Sequence, residues 1–389
     1  MKKHLSTLLV FALCTPPAWA TEYFILPAAS RLEGVGGIYG LAAGADKIFS
    51  ERTKVIAGAS AGQVQAEGLG LLDLPLGMAG LGFNLGFASV QKARFQTSYS
   101  RGLTQSDSIE QEISATAYGA TIDWLTLNKM LKLSAGLVLS EVHLDDFYSD
   151  GERITRPNKA GYHPVKTSSK ILALDWDGSG VENRQGFDLG VGLTTAEGRI
   201  GQSDLLMTNW RGSFYVPLFE SLTLAFNARW SDSAVTKKES RYLDAASAKA
   251  ALSTGCASIA NATEQARCQQ LEDSIADYVA RSNSAGTAAP IGGSNGLRAY
   301  NELSVRAAHT RLASLELRWI LARIKSVDLA LTPFYDLGWS SDSNGDVFKT
   351  AADSYGIGLR ATYKSLPLRL AYAQGKAESA WFLAIGQTY

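Results

Sequence analysis

The feature that most constrains this chain is a two-residue alternation, repeated in segment after segment, of large apolar side chains with small or polar ones. Leu222, Leu224, Phe226, Ala228 and Trp230 are separated by Thr223, Ala225, Asn227 and Arg229. The same pattern marks Leu131 to Leu139, Phe187 to Leu193, Leu81 to Phe87, Tyr355 to Tyr363 and Leu366 to Tyr372. Period two is the mark of strands, because successive side chains of an extended backbone point to opposite faces. A soluble sandwich also alternates. Here the second face is Gly, Ser, Thr, Asn, Arg and Asp, as in a wet or tightly packed lumen, while the first reads as a wall against lipid.

Fourteen strands are predicted. They lie near Gly34–Ala45, Thr53–Leu72, Gly80–Tyr99, Ile113–Leu127, Leu131–Asp146, Lys170–Asp177, Gly186–Glu197, Leu205–Leu218 and Leu222–Asp232. The last five are Leu312–Leu321, Val327–Ser340, Ser354–Lys364, Leu366–Gly375 and Ala380–Tyr389. An even count suits a bacterial single-chain barrel, and the glycine-rich start, residues 34–70, has room for one more pair. The expected fold is therefore all-β: a transmembrane antiparallel β-barrel of 14–16 strands. Short links (Asn128–Met130, Phe219–Ser221, Ala322–Ser326, Lys364–Leu366) alternate with long polar ones (Arg101–Glu112, Phe147–Ser169, Ser233–Arg311), which separates periplasmic turns from outer loops.

The first twenty residues read as a signal peptide. Lys2 and Lys3 are the basic region, Leu5 to Cys14 the apolar run, and Ala18-Trp19-Ala20 the cleavage site. Leu13 before Cys14 argues against a lipoprotein signal. The organisation expected is signal peptide 1–20 and barrel 21–389, with 233–311 as one long inserted loop. At the other end Trp381, Leu383, Ile385 and Tyr389 share one parity, and the chain stops on an aromatic ring, as an interfacial girdle residue would. Together these place the protein in the bacterial outer membrane, with outer-membrane lipid and lipopolysaccharide as neighbours. A formal net charge of +0 gives no footprint for nucleic acid.

The long loop carries its own order. Asn261-Ala262-Thr263-Glu264 is a helix start, and Cys268, Leu271, Ile275, Tyr278 and Val279 then share a helical face. Cys256 and Cys268 form an even pair in an exported chain, which reads as a disulfide. On one continuous helix they would lie about 18 Å apart, too far to bridge. The chain must therefore turn between them, and the bridge staples a small helical hairpin.

No chemistry-bearing constellation is expected to make this an enzyme, and neither a metal nor a cofactor is implied. Gly58-Ala59-Ser60-Ala61-Gly62 fits a Gly-x-Ser-x-Gly elbow, but that elbow needs a helix after its turn, and Gln63-Val64-Gln65-Ala66 continues as extended chain. His143, His163 and His309 are single histidines near strand ends or loops.

The stretch Gly292-Gly293-Ser294-Asn295-Gly296-Leu297-Arg298-Ala299-Tyr300 is a freely bending tip with one arginine, expected to fold back into the barrel and set Arg298 on carboxylates of the wall. From here onward the chain resembles the BamA/TamA-type outer-membrane assembly-factor barrels, the bacterial surface antigen family. Gly296-Leu297-Arg298-Ala299-Tyr300 is similar to the family's Arg-Gly-aromatic loop motif, with Ala299 where glycine is usual. Ser314-Leu315-Glu316-Leu317-Arg318, Phe334-Tyr335-Asp336-Leu337-Gly338, Ser354 to Arg360, Pro367 to Ala373 and Ile385 to Tyr389 follow in the family order over about a hundred residues. Asp175 to Gly186 faintly resembles its Asp/Arg-rich turn. The resemblance implies a sixteen-stranded barrel in which Arg298 meets Glu316 and Asp336. Parity agrees, since Leu315, Leu317, Tyr335 and Leu337 facing lipid would turn both carboxylates inward. It further implies insertion or translocation of protein or lipid through a weak seam between first and last strands, with Gly34-Val35-Gly36-Gly37 suited to that seam. Barrel-assembly machinery or a separate periplasmic protein would be the partner. The family's periplasmic POTRA domains are expected to be missing, since residues 21–33 are too few for a domain. A passive or plugged pore without assembly activity is the alternative, because one fold hosts many functions.

Overall fold

The structure, a computed structural model, describes residues 22–48, 50–103, 109–158, 164–179, 185–200, 202–325, 327–363, 366–376 and 378–385. The predicted signal peptide and Tyr389 lie outside these. Sixteen strands form one sheet: β1 Glu22–Leu32, β2 Gly36–Asp46, β3 Lys54–Gly62, β4 Val64–Pro75, β5 Leu81–Thr97, β6 Ile109–Thr126, β7 Leu131–Ser149, β8 Val165–Asp177, β9 Gly186–Ile200, β10 Asp204–Phe219, β11 Leu222–Lys237, β12 His309–Ile324, β13 Val327–Ser341, β14 Ala352–Tyr363, β15 Leu366–Gly375 and β16 Ser379–Ile385. Each is antiparallel to the next, and β1 meets β16, so the sheet closes into a barrel. A two-residue strand, Glu152–Arg153, folds back on the end of β7.

Two strands go beyond the fourteen expected. Thr53–Leu72 is a hairpin, β3 and β4, that turns at Gln63, with Gly62 at φ +99°. Ala57, Gly58, Ala59, Ser60 and Ala61 are small on both faces, so the change of direction leaves no trace in the hydropathy. Residues 22–32, which precede the first predicted strand, form strand β1. Its apolar run Tyr23–Leu26 breaks the alternation, and Pro27 argues against a central strand. Strand β1 nonetheless pairs with β2 through this position, Pro27 standing opposite Leu41. It meets β2 over eleven Cα pairs, Glu22↔Asp46 to Leu32↔Gly36, but meets β16 at Arg31↔Leu383 alone among the described residues. Gly34-Val35-Gly36 therefore belongs to the β1–β2 turn and the start of β2, not to the seam strand as expected.

The outward face is apolar. Leu172, Trp210 and Leu359 are each more than half exposed, at 57%, 56% and 55%. In water such a surface would be costly; against acyl chains it is the favourable one. The four longest connections, residues 98–108, 150–164, 238–308 and 342–351, all leave the same end of the barrel, which is the outer end.

Residues 238–308 hold two helices, α1 Ala245–Leu252 and α2 Ala262–Ala285. The Asp244 carboxylate caps α1 by accepting from the Ser247 N–H at 2.7 Å, and Asn261 Oδ1 caps α2 by accepting from Thr263 and Glu264. Cys256 and Cys268 are disulfide-bonded, with their Cα atoms 5.5 Å apart. The apolar stripe Leu271, Ile275 and Ala276 packs against Ile109 and Phe147 at the outer ends of β6 and β7 and against Ile154 in the connection after β7. The hairpin thus seats on the barrel's outer mouth. The chain then descends into the lumen.

Candidate functional site

The tip of the descending loop is a tight turn built around Gly296. Leu297 N–H donates to Ile291 O at 2.7 Å, and Tyr300 N–H donates to Leu297 O at 3.0 Å. A Cβ on Gly296 would lie 2.0 Å from the Ile291 carbonyl oxygen, so only glycine closes this turn. Leu297, Ala299 and Tyr300 are buried in a cluster with Leu312, Phe334, Ala373 and Phe382 of the barrel wall. Ala299, the departure from the family motif, is accommodated by Gly375 on β15: a methyl built there would stand 3.1 Å from the Ala299 Cβ. Burial raises the Tyr300 hydroxyl above its ordinary pKa, so it stays protonated.

This packing holds Arg298 in the wall. Its Nε and Nη2 donate to the two oxygens of Asp336 at 2.9 and 2.7 Å, and Nη1 donates to Glu316 Oε2 at 2.8 Å. The Arg298 backbone N–H donates to Ser354 Oγ at 3.0 Å, and the guanidinium lies 3.4 Å over the Phe334 ring. Arg298, Glu316 and Asp336 are 3%, 2% and 0% exposed. The three residues named from sequence are thus brought together, on the loop tip, β12 and β13. The second carboxylate oxygen of Glu316 accepts from Arg318 Nε at 2.9 Å, with Arg360 at 3.9 Å. Ser314 and Ser354 each donate a hydroxyl to Asp336. These four residues were not named as site residues. Their signal was there: 314, 316 and 318 share one parity, and 354, 358 and 360 share another, so all face inward.

A second buried arginine went unforeseen. Arg101, in the connection after β5, donates from Nε to both Asp342 oxygens at 3.0 and 2.9 Å and from Nη1 to Ser282 Oγ at 2.6 Å. Arg281 on α2 also reaches Asp342, at 3.1 Å, and the Ala308 N–H donates to it. One carboxylate thereby ties three outer loops. Burial works to raise the Asp342 pKa, but the Arg101 guanidinium outweighs it and holds the group below the ordinary carboxylate value.

At the seam, one hydrogen bond supplements the Arg31↔Leu383 pair: Ser30 Oγ donates to Leu383 O at 2.8 Å. Just beyond β16's outer end lies Glu378, whose pKa is raised by burial and by the nearby charge of Glu33 in the β1–β2 turn. Trp381 and Leu383 face outward, as the alternation required, while Phe382 is buried on the inner face. The Ile385 side chain, like Tyr389, lies outside the described residues. Ser60 sits in β3 with its hydroxyl donating to Val64 O at 3.0 Å, in a strand–turn–strand hairpin. His143 lies 3.1 Å from Glu141, His309 lies 2.6 Å from Asp232, and His163 falls outside the described residues.

No protein-family model matches the chain, and no curated protein matches it in sequence. Solved structures do. BamA from Haemophilus ducreyi lacking POTRA domains 1–3 is similar with a TM-score of 0.53 at 13% identity, over 94% of this chain and 69% of that one. This chain has the BamA barrel fold. CdiB from Acinetobacter baumannii (TM-score 0.53, 13% identity, 93% of this chain and 59% of that one) and CdiB from Escherichia coli (0.56, 10%, 95% and 63%) share it. The chain therefore spans less than two thirds of either CdiB. In the BamA-type frame the site is a barrel lumen occupied by an inserted loop, beside the seam where β1 meets β16.

Proposed function

We propose that this protein is an outer-membrane barrel of the bacterial surface antigen family that inserts or translocates a polypeptide, or a lipid, at the outer membrane. The observation that carries the reading is the occupied lumen: the inserted loop seats Arg298 on Glu316 and Asp336 of the wall, inside a barrel whose first and last strands meet at Arg31↔Leu383. Separation of β1 from β16 would free a strand edge, and a free strand edge is a template for another strand. The BamA and CdiB fold supports it. In this reading Arg298 keeps the lumen closed while the seam works, lipid and lipopolysaccharide surround the wall, and barrel-assembly machinery or a separate periplasmic protein delivers the client. No enzymatic step, cofactor or nucleic acid enters the mechanism.

The test is a tether. Arg31→Cys and Leu383→Cys are register partners, made in a background where Cys256 and Cys268 are serine. Oxidation should abolish insertion of a client barrel into proteoliposomes, and reduction should restore it. Full insertion by the oxidised protein removes the reading. A plugged pore is the second reading, favoured by the outer mouth that Arg101, Asp342 and the helical hairpin close. It predicts that the tether changes nothing.

A further inference from the structure

Arg298 does not bind an isolated pair of acids. Its seat is one arm of a polar belt that follows a single register line across the inner wall. Ser314 on β12 is opposite Asp336 on β13, which is opposite Ser354 on β14. In the other direction Ser314 is opposite Asn227 on β11, then Ser213, Asp188 and Asp177 on β10, β9 and β8. The second arm repeats the chemistry of the first, hydroxyls and an amide beside carboxylates; Ser179, just past β8, donates its N–H and hydroxyl to Asp188 at 3.2 and 2.9 Å, but among the described residues none of the descending loop is bonded to the arm. It faces a chamber of about 650 Å³ whose opposite wall is the descending loop at Ala289, Pro290 and Ile291.

One group there has a bond still to make. Asn227 is 1% exposed, and its Nδ2 donates to Gly212 O and Ser213 Oγ at 3.2 and 3.0 Å. Its Oδ1 has no hydrogen-bond partner. A buried acceptor left open favours a guest that donates. Asp188 and Asp177, adjacent on the same line, favour a donor that is charged. One rung outward the character reverses: Arg211 and Arg229 face each other across β10 and β11. Arg211 reaches Asp175 at 2.7 Å yet keeps a 67% exposed side chain. The bridge passes over Gly190, where a Cβ would stand 2.5 Å from Arg211 Nε.

We propose that this chamber binds a basic side chain of an extended polypeptide. The guanidinium or ammonium sits on Asp188, Asp177 and Asn227 Oδ1, as Arg298 sits on the other arm, and Arg211 and Arg229 take backbone carbonyls of the same guest. The preference for a cation rests on the chamber alone. The guest being a polypeptide rests on the assembly reading above.

The test places Ala173→Cys, which lines the chamber on β8, in the purified full-length barrel in detergent and follows its labelling by a maleimide. Cys256 and Cys268 are bridged and do not compete, and Cys14 is replaced by serine. The probes are Gly-Arg-Gly amide and Gly-citrulline-Gly amide, alike in shape but differing in charge. Half-protection should need about tenfold less of the arginine peptide, the weight of one charge-assisted hydrogen bond. Asp188→Asn should erase that difference. Equal protection by both peptides, or a difference that survives Asp188→Asn, overturns the proposal. Should Asp188→Asn fail to fold, Asn227→Asp decides: the difference must widen, and an unchanged one also overturns it. Client insertion measured on the same preparation separates the two readings. Cation-selective protection without insertion keeps the chamber and removes assembly; insertion without selectivity does the reverse.

Discussion

Arg298→Ala and Asp336→Asn remove opposite halves of one contact, and the surrounding charges decide which does more damage. Three cations, Arg298, Arg318 and Arg360, stand around two anions, Glu316 and Asp336, a net of +1 (three less two). Arg298→Ala leaves two of each, with Glu316 still bonded to Arg318 and Asp336 still accepting from Ser314 and Ser354. Asp336→Asn leaves three buried cations on one carboxylate, a net of +2. Removing one partner of a buried pair costs about 3–5 kcal/mol. Arg298→Ala belongs near the low end and Asp336→Asn near the high end. In docked-to-released ratio that is a fall of about a hundredfold against a few thousandfold. Single-channel recording in planar bilayers reads this directly. The native barrel should pass a low, flickering current, Arg298→Ala should open it for longer, and Asp336→Asn should open it for longer still. The double variant should be no worse than Asp336→Asn alone, since both changes break the same contact. A large steady native current unchanged by Arg298→Ala would refute the plug. Arg298→Ala proving the worse of the two would refute the charge argument.

Three further outcomes follow from the loops. Replacing Cys256 and Cys268 by serine should loosen residues 238–308 by about 3 kcal/mol, the worth of a disulfide closing a loop of this size. Limited proteolysis should then cut within that segment while the barrel keeps its heat-modifiable electrophoretic mobility. Because Arg101 holds Asp342 below its ordinary value of 3.8, the tie it makes is fully present above that pH and is lost as the pH falls towards the depressed folded value. Hydrogen exchange in residues 98–103 should rise there in the native protein, and Asp342→Asn should show the raised exchange at every pH. Glu378 has the opposite sign. Its raised folded pKa makes the outer end of the seam firmest below its ordinary 4.5 and weaker as the pH climbs through the folded value, so Glu378→Gln should lower exchange in β16 at neutral pH.

The barrel was legible wherever strands carried large residues on one face only. Leu222 to Trp230 and Tyr355 to Tyr363 announce both their existence and their parity. Parity alone then turned Glu316 and Asp336 inward. Legibility failed where residue size carried no contrast, at Ala57 to Gly62, and at Pro27, a residue that argues against a central strand yet lies within β1. The Cys256–Cys268 staple and the Asn261 cap could be read because both are local. Arg101 and Asp342 could not, because they are 241 residues apart and each looks like an ordinary loop charge until the loops are folded. The same holds for the belt from Asp177 to Ser354, which exists only once seven strands are in register.

The position of the Arg298 seat also has a temporal meaning. The arginine precedes Glu316, Asp336 and Ser354 by 18, 38 and 56 residues, so it leaves the ribosome before any of them. Its seat is complete only when β12, β13 and β14 lie side by side. Until then the tip has nowhere to go, and afterwards its docking marks that β12, β13 and β14 lie in register.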